Sequence, residues 1–233
     1  MKTKIQFLPI MLLVLLFASC VSNRGMKKDA FPVFYEENPP VSVLVMPPIN
    51  QSDNVDAKDF FFYSLNQVIG DEGYYVYPSL LTMNTLQEES AYDSELFVDG
   101  DISSFKRLFG ADLCFFTTIK KWKKSVIGTK IQIGIEYVLR STETGEIVWN
   151  RNGEFTYKPS SGSGGSLIAL AVQTAVNMLD TALTETFNVA KTCNYQVIPG
   201  SLPAGKYSPD FQKDGETEAG AENVKVQSSY AMY

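Results

Sequence analysis

The chain has 233 residues, with 20 Lys and Arg against 26 Asp and Glu and no histidine, giving a formal charge of −6 at neutral pH. This acidity argues against a nucleic-acid partner, because phosphate binding relies on clustered Lys and Arg. The missing imidazole removes Ser-His-Asp and Cys-His catalysis and histidine zinc sites together. With 45% hydrophobic residues there is material for the core of one ordinary domain with flexible ends.

At the N-terminus, Lys2 and Lys4 precede an apolar run from Ile5 to Phe17. That is the length of a signal-peptide core and falls short of the ~20 residues a membrane span needs. Leu16-Phe17-Ala18-Ser19-Cys20 closes the run as a lipobox. Phe17 is bulkier than the aliphatic residue usual three places before the cysteine, but an ordinary secretory leader would need no cysteine at all. Residues 1–19 are expected to be removed and Cys20 to carry the lipid, with three acyl chains giving stable anchoring where one binds only marginally. Val21 stands where an aspartate would signal inner-membrane retention. The expected address is therefore the outer membrane of a Gram-negative bacterium, facing the periplasm.

The expected organisation continues as a lipidated tether over residues 20–40, a single α/β domain over 41–210 and a disordered acidic tail over 211–233. Val41 to Met46 reads as a buried strand stopped by Pro47-Pro48, with N-cap candidates at Asn50, Ser52, Asp53 and Asn54. A helix over about 57–69 carries Phe61, Leu65, Val68 and Ile69 at helical spacing. Gly70 or Gly73 ends it, and Tyr74 to Tyr77 forms a second strand. Such a β-α-β start predicts parallel pairing.

A second helix opens at Pro78 and Ser79 and runs to about Glu88, with Leu80, Leu81, Met83 and Leu86 as apolar positions. A short one around Phe105, Leu108 and Phe109 is closed by Gly110. Leu113 to Ile119, Lys130 to Leu139 and Ile147 to Tyr157 predict an antiparallel meander, the middle strand alternating with period two. The longest helix is expected over about 166–190, its apolar stripe running Ile168, Val172, Ala175 or Val176, Leu179, Leu183 and Phe187. The fold class is thus mixed α/β, with a mixed sheet of about five strands and a long C-terminal helix packed on it.

Cys114 and Cys193 remain after Cys20. In an oxidising periplasm they can pair as a disulfide, or Cys114 can serve as a small core hydrophobe in an apolar strand. The Gly-rich run Ser160 to Gly165 precedes a helix but lacks a P-loop lysine and reads as a connector. Lys120, Lys121, Lys123 and Lys124 surround Trp122. They are expected at a solvated hairpin tip, with lipid headgroups or peptidoglycan as the alternative contact. Asp53, Asp56, Asp59, Asp71 and Glu72 read as charged helix ends. No catalytic residue, cofactor or metal is assigned.

The run Val43 to Ser52 resembles the opening strand and loop of a family of outer-membrane lipoproteins of unknown function. That family is similar in fold to the TolB N-terminal domain and to the periplasmic domain of the curli-secretion lipoprotein CsgG. The segments Gly73 to Pro78, Gly110-Ala111-Asp112, Thr144 to Trp149 and Leu202 to Tyr207 match as well. The resemblance implies a non-enzymatic accessory or assembly factor for an outer-membrane or secretion complex. Envelope or secretion proteins, a CsgG-like lipoprotein and a second copy of the chain are its implied partners. Sheet edges and the loop after Pro48 are the expected working surfaces. The alternative is a small-ligand or glycan-binding lipoprotein, which would need a deep apolar pocket beside Asn50 to Asp53.

Overall fold

The computed structural model of the chain describes residues 25–124, 130–159 and 177–230. β1 (Ser42–Val45) is buried along its whole length and stops before Pro47 and Pro48, which offer a ladder no N–H. β2 (Ile49–Asn50) resumes beyond that break. α1 (Ala57–Asp71) buries Phe61, Leu65, Val68 and Ile69 as the spacing requires. Gly73, at φ +88°, then turns the chain into β3 (Tyr75–Val76).

α2 (Ser79–Glu88) and α3 (Ser103–Phe109) follow, the second closed by Gly110 at φ +70°. β4 (Leu113–Lys124), β5 (Ile131–Ser141) and β6 (Ile147–Pro159) form the antiparallel meander. α4 (Asn177–Val197) and β7 (Asn223–Tyr230) complete the fold.

The seven strands form one sheet in the order β3-β1-β4-β5-β6-β7, with β2 pairing β4 beyond the end of β1. β1 pairs β3 and β4 in parallel, the β-α-β start expected from the pattern. Alternation along β1 and β4 sorts side chains onto two faces. Val43, Val45, Leu113 and Phe115 join one core cluster beneath α1 and α4. Leu44, Met46, Cys114 and Phe116 join a second beneath α2 and α3. A polar bridge crosses the first layer: Tyr137 donates to Asn194 Oδ1 at 2.6 Å, and Asn194 Nδ2 donates to Ser64 Oγ at 2.9 Å.

Several expectations are corrected. The tail is part of the sheet: β7 pairs β6 in parallel from Asn223 to Tyr230, because Val224 and Val226 pack on the main core. The tether is also shorter than expected. Lys27 to Ala30 form a helical turn, Pro32 to Tyr35 a 3-10 turn, and Lys27, Phe31 and Phe34 are buried. α4 continues past Ala190 to Val197, burying Val189, Ala190, Cys193 and Val197, whereas most of its expected stripe and the Ser160–Gly165 run lie outside the described residues. On α2, Leu80 and Leu81 are exposed, and Thr82 and Leu86 face the core instead. The N-cap position of α1 is Asp56, which makes no side-chain cap.

The short segments behind the family resemblance are joints of this fold. Asp112 accepts from the N–H groups of Val41 and Ser42, each at 3.0 Å, and so clamps the start of β1. Leu202 to Tyr207 lies on Gly73: Gly205 N–H donates to Glu72 O at 2.8 Å and Tyr207 N–H to Gly73 O at 2.9 Å. A Cβ on Gly73 would stand 2.3 Å from Ser208 N, and one on Gly205 would stand 2.4 Å from Gly73 O. Both positions therefore require glycine. Arg140 donates to the carbonyls of Phe97, Val98 and Gly100, each at 2.9 Å, and to Gly145 O at 2.9 Å, which ties two loops to the sheet.

Candidate functional site

Parallel sheets are normally covered on both faces, whereas an antiparallel sheet can leave one face to water. The molecule does both. Around β3, β1 and the start of β4, helices cover each face; across the far half of the meander and β7, no described residue covers the face opposite α1 and α4. The side chains there come from the polar alternate positions of each strand. A cleft of about 440 Å³ runs over them, lined among others by Lys120, Lys121, Gln132, Asn152, Glu154 and Thr156.

Its floor dips at Gly134, which pairs with Lys121 on one side and Glu154 on the other. Lys120 pairs with Glu136 at 2.8 Å, and Lys225 with Glu154 at 3.1 Å. Such partly exposed pairs contribute about 0–1 kcal/mol each, so they can open for a partner at little cost.

The lysine cluster is thus no hairpin tip. β4 is paired with β5 from Leu113 to Lys124, with a register shift between Ile119 and Lys121. Trp122 turns into the core, edge-on to Phe61 at 6.2 Å, while Lys120 and Lys121 line the opposite face. The bulge and the buried indole make this arrangement. Sequence reasoning missed Gln132, Gly134, Asn152, Glu154 and Thr156. The period-two alternation of β5 was a signal for the first two, but it said nothing of whether a helix would cover them.

In the loop after Pro48 the side chains of Asn50 and Ser52 are tied up within the loop itself. Asn50 Nδ2 donates to Asn54 O at 2.7 Å, and Ser52 Oγ to Asn50 Oδ1 at 2.7 Å. Neither the 440 Å³ cleft nor a second one around Arg140 and Gly145 includes Asn50 to Asp53. Among the named carboxylates, Asp71 accepts from Tyr195 OH. Desolvation pushes the Glu72 carboxyl above its ordinary value, against the pull of Lys27. Among the described residues no group of His, Cys, Asp and Glu could hold a metal ion. No helix of those residues is long and apolar enough to cross a membrane.

Cys20 lies outside the described residues. Cys114 and Cys193 are free, buried thiols. They do not pair because Cys114 sits in the cluster beneath α2 and α3 and Cys193, on α4, in the cluster across the sheet. A disulfide needs Cα atoms within about 7 Å. Burial pushes both thiols up, so neither is a ready thiolate. In the Cys20→Ser protein, a thiol reagent without reductant should leave the folded chain unlabelled and label two groups after denaturation. One or no group in the denatured chain would indicate a disulfide.

This is a mixed α/β domain with a helix-covered parallel half and an antiparallel meander. The chain belongs to the family described as "Putative lipoprotein GNA1162-like", which matches residues 33–206. A curated relative, "Putative lipoprotein NMB1124/NMB1162" of Neisseria meningitidis serogroup B, is 24% identical over 172 residues, which is 70% of this chain and 77% of the relative. The crystal structure of lipoprotein GNA1162 from Neisseria meningitidis aligns at 20% identity and TM-score 0.49, over 64% of this chain and 99% of that one. A leucine-to-methionine variant of the PelC dodecamer from Paraburkholderia phytofirmans aligns at 14% identity and TM-score 0.43, over 68% and 87%. The LpoB C-terminal domain from Salmonella enterica aligns at 14% and 0.40, over 57% and 96%.

Proposed function

We propose that the chain is a lipid-anchored envelope protein, held in the outer membrane through Cys20, that serves as a non-enzymatic accessory or assembly factor by docking another protein on the bare face of β4 to β7. The observation that carries this reading is the uncovered polar half-sheet itself. It is a shallow, open surface of lysines and amides, without the deep apolar walls of a ligand pocket. Lys121 and Lys123 make no ion pair with a described carboxylate, so the face suits a polar, acidic strip of the partner. Membership of a lipoprotein family supports the anchor. The resemblance to the TolB and CsgG domains makes a CsgG-like secretion lipoprotein the first partner to look for, and a second copy of the chain the next.

A photo-crosslinking residue at Gln132 or Thr156 in intact cells tests this. Adducts to an envelope protein from these positions, and none from the exposed Leu80, are expected. A co-purifying sugar or other small molecule without any protein adduct would overturn docking in favour of ligand binding. Gly134→Tyr fills the cleft floor at a strand position where the added Cβ makes ordinary contact with Lys121, at 3.4 Å from its Cβ and 3.9 Å from its N. It should shift stability by no more than about 1 kcal/mol while removing the protein adducts; adducts that persist at full yield would place docking elsewhere.

A further inference from the structure

The N-terminal segment leaves the domain at a fixed point. Ala219 N–H donates to Gly25 O at 2.9 Å, Lys27 N–H to Thr217 O at 2.9 Å and Lys28 N–H to Gly215 O at 3.1 Å. Met26 bridges Glu218 in antiparallel fashion. Side chains lock the same contact. Lys27, 4% exposed, donates to Leu202 O at 3.1 Å and to Asp214 at 2.8 Å. Phe31 is buried under the Arg151 guanidinium at 5.0 Å, and Arg151 also donates to Ala219 O. From Gly25 onward the chain is part of the domain.

Only four residues, Val21 to Arg24, then separate the lipidated Cys20 from that point, and the five steps from Cys20 to Gly25 reach about 18 Å at full extension. A tether running to Pro40 would have reached about 70 Å. Eighteen ångströms is too little to pass around another folded domain, since even 100 residues have a radius of gyration of about 13 Å.

We infer that the surface around the Met26–Glu218 bridge rests against the bilayer that holds Cys20, so that the domain is clamped to the membrane and not suspended from it. This rests on the reading of Cys20 as the lipidated residue, and the occupant of the surface is the lipid bilayer. In the segments that meet at the exit, the acidic Asp29, Glu216, Glu218 and Glu222 outnumber the basic Arg24 and Lys28. The contact is therefore held by the acyl chains and not by attraction to anionic headgroups. Met26, 43% exposed, is the apolar side chain at the exit.

The cleft lies close by: Asn152, which pairs with Asn223 at the start of β7 and donates to Glu222 O at 2.8 Å, is one of its walls. The far ends of β6 and β7, seven residues on, lie only about 23 Å further. A partner docked in the cleft must consequently sit on, or reach down to, the same membrane.

Neutron reflectometry of the full-length lipidated protein in a supported bilayer tests the clamp. Protein density should begin within about 20 Å of the headgroups and stay there in high salt. A 20-residue Gly/Ser insertion between Asn23 and Arg24 should move it outward by about 25 Å. A hydrated gap wider than about 20 Å in the unmodified protein, or an insertion that leaves the profile unchanged, would overturn the clamp. The Cys20→Ser protein separates the two levels of the argument. If it binds the bilayer as well as the lipidated form, the anchor itself is wrong. If it fails to bind while the lipidated protein stands off, only the clamp is.

Discussion

Replacing Asp214 by alanine should cost about 3 kcal/mol of unfolding free energy, which for a domain of ordinary stability is a large fraction of the total. Asp214 is ion-paired with Lys27 at 2.8 Å, and the two side chains retain only 12% and 5% of their exposure. The carboxylate also accepts from Tyr35 OH at 3.0 Å and from Ala204 N–H at 3.0 Å. Its loss leaves a buried ammonium uncompensated, and at the same time the N-terminal turn, the 202–207 segment and the C-terminal strand lose their common joint. Lys27→Met combined with Asp214→Leu should recover most of the loss, because a buried pair replaced by apolar groups is close to neutral. Urea unfolding followed by circular dichroism decides it. A double variant as unstable as Asp214→Ala would mean that the joint works through something other than charge.

The same joint sets a pH dependence. Burial would raise the Asp214 carboxyl, but the hydrogen bonds from Lys27, Ala204 and Tyr35 outweigh it and hold the group below its usual range. Asp112 is lowered in the same way, desolvation being outweighed by Lys106, Val41 and Ser42. A carboxyl whose folded value is depressed contributes stability above its unfolded value, near 4, and loses it as pH falls through the folded value. Glu72 is raised by desolvation and acts with the opposite sign: its penalty, present at neutral pH, is relieved as pH falls toward about 4.5. Stability should therefore peak near pH 5 and fall steeply below about 4. In the Asp214→Asn protein the decline below pH 4 should be shallower.

Trp149→Ala should be the second severe change, at about 3–5 kcal/mol. The indole is 1% exposed and packs against Phe115 at 5.9 Å, with the Arg151 guanidinium over it at 5.4 Å. Its Nε1–H donates to Ser201 O at 3.2 Å. Truncation leaves a cavity, an unpaired buried carbonyl and a buried cation with only Phe31 of its two aromatic partners. Trp149→Phe keeps most of the volume and should lose less than half as much. A fall in the urea midpoint at unchanged m-value would identify the loss as packing, whereas a changed m-value would point to a loosened native state.

Most of the core was legible in the sequence, because each element carried its own period. The helical spacing of Phe61, Leu65, Val68 and Ile69, the alternation from Ile131 to Leu139, and glycines at positions 73 and 110 each define an element locally. The misses share one cause. Val224 and Val226 are too few to mark a strand until β6 offers them a ladder and the main core a surface. Leu80 and Leu81 satisfy a helical period equally well pointing outward, and only the position of α2 on the sheet decides that they do. The lysines around Trp122 looked like a tip because a charged run usually is one. Pairing with β5, the register shift after Ile119 and burial of the indole turned Lys120 and Lys121 into a wall of the cleft.

By itself, then, the sequence determined the acidic character, the absence of imidazole and the mixed α/β class, all of them local or compositional properties. Only the tertiary structure decided that Cys114 and Cys193 face opposite layers, that the N- and C-terminal segments close on one another through Lys27 and Asp214, and that no described residue covers part of one sheet face. These are relations between residues far apart in the chain. No local periodicity carries them, because they depend on which face of which strand a distant element comes to cover.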